Sequence, residues 1–341
     1  MSGATAAIWV FRGAAVTALA ALICVTLIVV LHPLLQRYAL AKPNARSSHR
    51  NPTPQGGGIA VMAATIAATA FGLFSLSAAF AASLLTVFAA AVAIAFVGAA
   101  DDIHPLGVVL RLFLQALAVA AVIYALPQEL RVLSILPWWI ERILLFIGAL
   151  WFVNLVNFMD GIDWMTVAEI IPICGALVAL GCLDALSRDH AAVALALGGA
   201  MLGFAYFNRP TARLFLGDVG SLPIGLLLAW LLIVLAGNGH FAAALLLPLY
   251  YLADATLTLI RRFSKGERVW QAHRTHYYQR ATDRGFGVTE IVARVFAVNI
   301  CLATLAITTV IMPDMVSTIA ALCCGAALVG LLLARLARGK E

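Results

Sequence analysis

The chain has 341 residues, of which 63% are hydrophobic and 11% are charged, and its mean hydropathy is +1.00. This composition excludes an ordinary soluble globular protein and indicates an integral membrane protein. The formal net charge of +6 does not indicate a nucleic-acid partner, because in a membrane protein the location of basic residues matters more than their sum. The cysteines lie in apolar segments without a CxxC pair, so they predict neither a zinc site nor a disulfide framework.

Apolar segments of the length that spans a bilayer, about 20 residues, recur along almost the whole chain. The first, at 13–31, is longer than a signal-peptide core and predicts a retained anchor, with cleavage as the lesser alternative. The pattern predicts an all-α polytopic membrane protein with about 11 transmembrane helices in a single domain, 1–341. The predicted spans are 9–31, 57–76, 79–98, 107–126, 137–157, 166–186, 190–207, 221–236, 241–260, 290–312 and 315–336.

The basic residues predict how the chain is oriented. With the N-terminus outside and the C-terminus in the cytoplasm, 18 of the 22 Lys and Arg residues lie on the inner side, as the positive-inside rule favours. The same orientation places six of the ten aspartates at the inner ends of the spans or in the loops directly beside them. Carboxylates near a bilayer are costly and are functional candidates by default. The six are Asp101, Asp102, Asp160, Asp163, Asp218 and Asp254.

The stretch 151–165, WFVNLVNFMDGIDWM, ends an apolar helix in four polar residues spaced three apart. On a helix, this spacing gives a polar stripe on one side, and the glycine at 161 lets the chain turn between the two carboxylates. The stripe predicts one wall of a site at the membrane border. Its members are Asn154, Asn157, Asp160 and Asp163.

Two further acidic segments predict phosphate and metal chemistry. Asp101 and Asp102 are neighbours at a helix end, so their side chains point about 100° apart and should have different tasks; a solvated turn is the alternative. Asp218 lies between glycines before an apolar helix, with Ser221 predicted as the N-cap and Pro223 in the first turn. A helix N-terminus binds phosphate and an adjacent carboxylate can hold its magnesium; a helix cap without further function is the alternative.

The first inner loop, 42–58, joins basic residues to prolines and a glycine triplet. Basic residues at this level attract lipid phosphates, and the glycines would permit close backbone approach. The loop therefore predicts contacts with a phosphorylated lipid. The residues expected to make them are Lys42, Arg46 and His49.

The longest inner loop, 261–289, is named here the histidine loop. His273, Arg274, His276 and Arg280 predict imidazole and guanidinium contacts with a diphosphate. A metal site lacks a third soft ligand nearby, and a basic helix that binds lipid headgroups is the other alternative. For Asp254, pairing with a neighbouring cation and participation in the site are equally open.

Five segments in chain order resemble the polyprenyl-phosphate N-acetylhexosamine-1-phosphate transferases, which include the phospho-MurNAc-pentapeptide translocase and the initiators of O-antigen and teichoic acid. The segments are 49–58 (HRNPTPQGGG), 101–102 (DD), 154–163 (NLVNFMDGID), 215–221 (FLGDVGS) and the histidine loop. Together, in order and on one face, they are specific. The chain departs from many members in three ways: its histidine cluster is sparser, Trp164 stands where many have glycine, and Gln55 stands at a commonly basic position. In these respects the chain looks closest to the O-antigen-initiating subgroup.

The resemblance implies transfer of a sugar 1-phosphate from a UDP-N-acetylhexosamine to undecaprenyl phosphate, with release of UMP, as the first membrane step of a surface glycan such as O-antigen. It implies Mg²⁺, with Mn²⁺ as the alternative, and residence in the bacterial inner membrane; a homodimer stays open. The site is expected to form from inner loops 37–56, 99–106, 158–165, 208–220 and 261–289. Residue patterns and resemblance together give as catalytic Asp101, Asp102, Asp160, His273 and His276; as substrate-binding Lys42, Arg46, His49, Asn154, Asn157, Asp163, Arg274 and Arg280; and as metal ligands Asp218 and Asp102.

Two other functional classes stay open at this point. A cation-coupled transporter would use the intramembrane carboxylates, but it needs polar access from both faces, and the candidate residues lie on one face. A scaffold for glycan assembly would not need Asp218. For the transferase, direct attack by the lipid phosphate is expected, and a phosphorylated Asp101 or Asp102 is the mechanistic alternative.

Overall fold

The structure, a computed structural model, describes residues 3–41, 52–74, 82–271 and 273–340, with side chains from residue 11 onward. The described chain is almost entirely helical. Its helices are α1 Gly3–Tyr38, α2 Gly57–Phe74, α3 Ala82–Ile103, α4 Val108–Ala125, α5 Trp138–Met159, α6 Met165–Cys182, α7 Arg188–Ala205, α8 Asp218–Leu235, α9 Phe241–Leu246, α10 Leu249–Ser264, α11 Tyr277–Asp283, α12 Val288–Ile311 and α13 Met315–Arg338.

The prediction of an all-α polytopic membrane protein is confirmed. Within the described ranges, nine helical segments are long and apolar enough to cross a membrane, and they match nine of the eleven predicted spans. The predicted span 190–207 is also helical but is not among the nine, and of the predicted span 241–260 only the first six residues belong to one of them, the segment Asp218–Leu246. The first corresponds to α7, which begins with the polar sequence Arg-Asp-His, and the second is broken into α9 and α10.

Two irregularities shape this region, one directly before the predicted ninth span and one inside it. A π-helical turn, Ala236–His240, follows α8, and Gly239 leaves helical geometry there with φ of 92°. Pro248 then separates α9 from α10, because proline lacks the N–H that a continuous helix needs and its ring clashes with the preceding turn. The α10 helix therefore begins inside the predicted span, with a new N-terminus.

Helix α8 lies at the centre of the bundle and packs against α2, α3 and α5. It is apolar on all sides, as expected for a fully surrounded helix, and it begins at Asp218. Ser221 was predicted as its N-cap, and this is wrong: the N-cap is Gly217. The helix starts earlier because the carboxylate of Asp102 on α3 accepts hydrogen bonds from its first backbone N–H groups.

Glycines allow the chain to pack closely around the start of α8. A Cβ atom on Gly58 of α2 would lie 2.1 Å from the Cα of Gly220, and one on Gly98 of α3 would lie 2.3 Å from the carbonyl oxygen of Asp218. No side chain fits in either place. The inner ends of α2, α3 and α8 thus meet backbone to backbone.

A short antiparallel ladder, β1 Leu40–Ala41 with β2 Thr53–Pro54, leads into α2. The backbone N–H groups of Gly57 and Gly58 donate to the carbonyls of Phe215 and Leu216, each at 2.9 Å. The close approach expected of this glycine triplet therefore serves the chain itself, since these two amides are not free to bind a lipid phosphate.

Candidate active site

A cavity of about 240 Å³ lies where the last turns of α3 and α5 meet the first turn of α8. It brings together residues that are far apart in the sequence, including five of the predicted site residues. Its lining consists of Ala41, Gln55, Asp102, Asn157, Asp160, Gly161, Ile162, Asp163, Asn208, Phe215, Leu216, Gly217 and Asp218.

Asp102 joins α3 to the start of α8. One carboxylate oxygen accepts the backbone N–H of Asp218 at 3.0 Å, and the other accepts that of Val219 at 3.1 Å. A negative group here suits the positive end of the helix dipole. Gly217, at φ of 77°, makes room for the carboxylate, because a Cβ atom there would lie 2.5 Å from it.

Asp101 points away from Asp102 and pairs with a cation on α4. The guanidinium of Arg111 donates to Asp101 at 2.8 Å and lies 3.7 Å from the Oδ2 atom of Asp218. The backbone N–H of Leu106 donates to the second oxygen of Asp101 at 2.6 Å. The adjacent acids therefore have different partners, as their helical spacing predicts.

Asn157 and Asn154 occupy different surroundings although both belong to the predicted stripe on α5. The Asn157 amide lies in the cavity and donates to Asp218 at 2.7 Å and to Ser221 at 2.9 Å. The Asn154 amide instead donates to Gln115 of α4 at 2.9 Å and is buried away from the cavity lining. Only Asn157 faces the cavity.

Asp160 and Asp163 lie in the acidic loop, defined as 160–164, between α5 and α6. The hydroxyl of Thr166 donates to Asp160 at 2.5 Å. The pKa of Asp160 is raised to about 6, chiefly by burial; the Thr166 hydrogen bond opposes this increase, and the nearby Asp102 and Asp163 contribute to it. Asp163 is buried and accepts the backbone N–H of Ala212 at 3.0 Å, which connects this loop to 208–216.

Trp164 closes the acidic loop in a left-handed conformation, with φ of 62°. Its backbone N–H donates to the side chain of Asn208 at 2.8 Å, and its indole N–H donates to the carbonyl of Ala205 at 2.7 Å. Left-handed geometry is costly for a bulky residue. These two hydrogen bonds to the end of α7 and the segment after it hold the residue in place.

Asp254 on α10 organises the start of α11. It is fully buried, accepts the backbone N–H groups of Tyr277 at 2.9 Å and Tyr278 at 3.2 Å, and lies 3.3 Å from Nδ1 of His276. The carboxylate therefore lies against the start of α11 in the histidine loop and does not line the cavity. The residue positions the histidine loop.

His273 and His276 stack on each other, with ring centroids 4.9 Å apart. The pKa of His273 is lowered to about 4, chiefly by burial and also by the nearby His276 and Arg262, so this imidazole is neutral near pH 7. Neither ring lines the cavity. The link to the cavity is Tyr278, whose hydroxyl donates to the carbonyl of Phe158 at 3.0 Å.

The remaining predicted contacts lie farther from the cavity or outside the described ranges. Arg274 binds within its own loop, to Thr282 at 2.9 Å and to Asp283 at 3.4 Å, and Arg280 is half-buried on α11. All three residues predicted to contact the lipid phosphate lie outside the described residues. They are Lys42, Arg46 and His49.

The oxygen donors in the cavity suit a magnesium ion. Among the described residues, no group of three or more His, Cys, Asp or Glu side chains is arranged to hold a metal by itself. Magnesium, however, is usually held by one or two carboxylates, water and substrate phosphates. Asp218 has one oxygen that no amide occupies, and Asp102 keeps lone pairs beyond its two amide contacts.

Several polar residues of this region were not assigned a role from the sequence. Asn208 lines the cavity, Thr166 binds Asp160, and Arg111 pairs with Asp101. Arg111 and Gln115 are four residues apart on the apolar helix α4, so they share a face. That pair was a detectable signal for a second polar stripe, whereas nothing local distinguishes Asn208 or Thr166.

Comparisons with known proteins agree on one family of enzymes. A family model described as glycosyl transferase family 4 matches residues 84–236. The decaprenyl-phosphate N-acetylglucosaminephosphotransferase of Mycobacterium leprae is 26% identical over 293 residues, covering 76% of this chain and 73% of that protein. The phospho-N-acetylmuramoyl-pentapeptide-transferase of Streptococcus thermophilus is 30% identical over 137 residues, covering 37% and 39% respectively. The region matched by the family model spans Asp101 to Asp218 and excludes the histidine loop.

Proposed function

Because this chain is a homologue of the polyprenyl-phosphate hexosamine-phosphate transferases, we propose that it transfers N-acetylhexosamine 1-phosphate from a UDP-sugar to undecaprenyl phosphate. The products are undecaprenyl-diphosphate-sugar and UMP. The observation that carries the proposal is the convergence of Asp102, Asn157, Asp160 and Asp218 on one cavity at the ends of three membrane helices. A reaction between a membrane lipid and a water-soluble nucleotide needs a site at this border.

We further propose that this border is the cytoplasmic face of a bacterial inner membrane, with the N-terminus outside. The distribution of 18 of 22 basic residues supports this orientation. UDP-sugars are charged and hydrophilic, so a site open to the compartment that contains them is required. We also propose that the product of this reaction is used in O-antigen assembly.

The chemistry that we propose is a direct displacement. A phosphate oxygen of the lipid attacks the sugar-bearing phosphorus, the diphosphate bond breaks, and UMP departs with the bridging oxygen. A phosphate monoester is mostly dianionic at pH 7, so the chain needs to orient the nucleophile rather than deprotonate it. Asp101 and Arg111 are paired at 2.8 Å beside the cavity, and the forked guanidinium suits phosphate oxygens.

Bound Mg²⁺, or Mn²⁺ as the alternative, would neutralise negative charge that builds on the diphosphate. Asp218 is the proposed protein ligand, with Asp102 beside it. Asn157 holds one oxygen of Asp218 at 2.7 Å and so orients the other. Asp160 and Asp163 complete the wall that faces the nucleotide. His273 acts as a neutral hydrogen-bonding group in the proposal rather than as a cation, and His276, which stacks on it, supplies a second imidazole.

The decisive experiment offers membranes that contain the protein a panel of UDP-N-acetylhexosamines with undecaprenyl phosphate, with and without EDTA. We expect one or more sugars to yield UMP and a diphosphate lipid only when divalent metal is present. Asp218→Asn is expected to abolish turnover, whereas Asp314→Asn, at an exposed N-cap far along the chain, serves as the matched control.

Three outcomes would contradict the proposal. If no sugar gives metal-dependent UMP, the enzyme assignment fails. If Asp218→Asn retains turnover, the proposed metal ligand is wrong. If vesicles take up a solute without UMP release, the transporter alternative is favoured instead.

A further inference from the structure

A carboxyl group lies buried inside the bundle and has no part in the proposed reaction. Glu169 on α6 is only 1% exposed. Its position on α6 is one helical turn from Thr166, the residue that binds Asp160. An ionisable residue within a membrane span is costly and calls for a functional explanation.

Glu169 binds the helix that follows the histidine loop. Asn299 of α12 is likewise 1% exposed and donates through its amide to the carboxyl group of Glu169 at 2.6 Å. The same amide donates to the backbone carbonyl of Ala168 at 3.0 Å. Two hydrogen bonds from one side chain therefore fix α12 against α6 at this level.

Glu169 also contacts the helix that precedes the histidine loop. The backbone amide of Tyr251 lies against the same carboxyl group, and Tyr251 is the third residue of α10. Amides in the first turn of a helix have no partner within the helix. Because Pro248 breaks the span, this new N-terminus lies away from water and needs an acceptor from elsewhere.

The two contacts have a common consequence for the site. Helix α10 leads into the histidine loop and helix α12 follows it, and α6 begins directly after the acidic loop. One turn beyond Tyr251, Asp254 on α10 holds the start of α11. Movement of α10 relative to α6 would thus move the histidine loop relative to Asp160.

We propose that Glu169 is a positioning residue, which holds the two helices that flank the histidine loop in a fixed relation to the acidic loop. It touches no substrate and acts through α10 and α12. The proposal rests on the transferase activity proposed above. The geometric part of the proposal can be measured without that activity.

The test compares Glu169→Gln with Glu169→Leu in the full-length protein. Gln keeps one carbonyl oxygen that can accept the Asn299 amide, whereas Leu keeps the volume but no acceptor. We expect Glu169→Leu to lower kcat by about 10²-fold, the scale of a 1 Å misplacement, with KM for the UDP-sugar changed far less. Glu169→Gln is expected to restore kcat to near the wild-type value.

Hydrogen–deuterium exchange supplies a readout that does not depend on turnover. We expect faster exchange of peptides from 160–164 and 273–287 in Glu169→Leu but not in Glu169→Gln. Asn299→Leu should show the same faster exchange and the same loss of kcat as Glu169→Leu. Thr309→Val on α12, whose hydroxyl binds only its own helix at Ala306, is the matched control and should behave as wild type.

The outcomes separate this inference from the proposed activity. If Glu169→Leu equals wild type in kcat and in exchange, or if Glu169→Gln is as impaired as Glu169→Leu, the positioning role is wrong. If the wild-type protein releases no UMP with any sugar while the exchange pattern appears as expected, the proposed activity fails and the structural role of Glu169 stands.

Discussion

The hydroxyl of Thr166 should set the pH at which the site becomes active. It donates a hydrogen bond to Asp160, whose pKa burial has already raised to about 6. Thr166→Val preserves the shape of the side chain and removes the donor. A hydrogen bond to an ionised group contributes about 1.5–3 kcal/mol, and one pKa unit corresponds to about 1.4 kcal/mol. The pKa of Asp160 should therefore rise by roughly one to two units.

The direction in which the pH profile shifts depends on which protonation state of Asp160 the site requires. If ionised Asp160 is needed, activity is lost as the pH falls through its pKa, so a higher pKa moves the acid limb upward. For a shift from about 6 to about 7.5, the variant would be roughly eightfold less active than wild type at pH 6.5 and nearly equal at pH 9. Bound magnesium would lower both pKa values, so in its presence the same eightfold difference would appear at a correspondingly lower pH.

The assay is initial UMP release between pH 5.5 and pH 9 at constant magnesium. Thr65→Val, which removes a buried hydroxyl bonded to its own helix in α2 at 2.8 Å, is the matched control and should keep the wild-type profile. Superimposable profiles for Thr166→Val and wild type would refute the assignment of the acid limb to Asp160.

Three more substitutions test the geometry around the cavity. Gly58→Ala should destabilise the folded protein by roughly 1–3 kcal/mol or more, because the new Cβ atom meets Gly220. Gly148→Ala, with open space at its Cβ position, should leave the thermal midpoint unchanged, and equal midpoints for the two variants would contradict the close packing. Asn157→Ala should reduce kcat/KM by roughly 10²-fold. Asn154→Ala, which removes the hydrogen bond to Gln115, should mainly lower thermal stability, and a reversed pattern would contradict the cavity assignment. Asp254→Asn should lower kcat while KM changes little, since it disturbs the start of α11; an unchanged kcat would show that the histidine loop does not need this cap.

The membrane architecture was largely accessible from the sequence because span length and charge bias depend only on local composition. Nine of the predicted spans are confirmed, and even the start of α8 was misplaced by only three residues. The convergence of Asp102, Asn157 and Asp218 on one cavity could be expected once topology placed their segments on one face. Residue spacing did not reveal that Asp102 caps α8, since that contact joins residues 116 positions apart.

Interactions between distant helices were the part that could not be predicted. Asn154 and Asn157 are equivalent members of one stripe in the sequence, yet one faces α4 and the other faces the cavity. Which face a polar residue meets depends on how neighbouring helices pack, and local periodicity carries no such information. The Glu169–Asn299 contact joins α6 to α12 across 130 positions and has no local signature at all.

The capping of α8 by Asp102 also limits which chemical form of a substrate the cavity can admit. A free helix N-terminus would attract a bare phosphate, but here its leading amides are already occupied by a carboxylate. Four aspartates and neither lysine nor arginine appear among the described lining residues. An unaccompanied polyanion would meet repulsion on entry, whereas one that arrives already paired with a divalent cation would not. The cavity thus discriminates by net charge before it discriminates by shape.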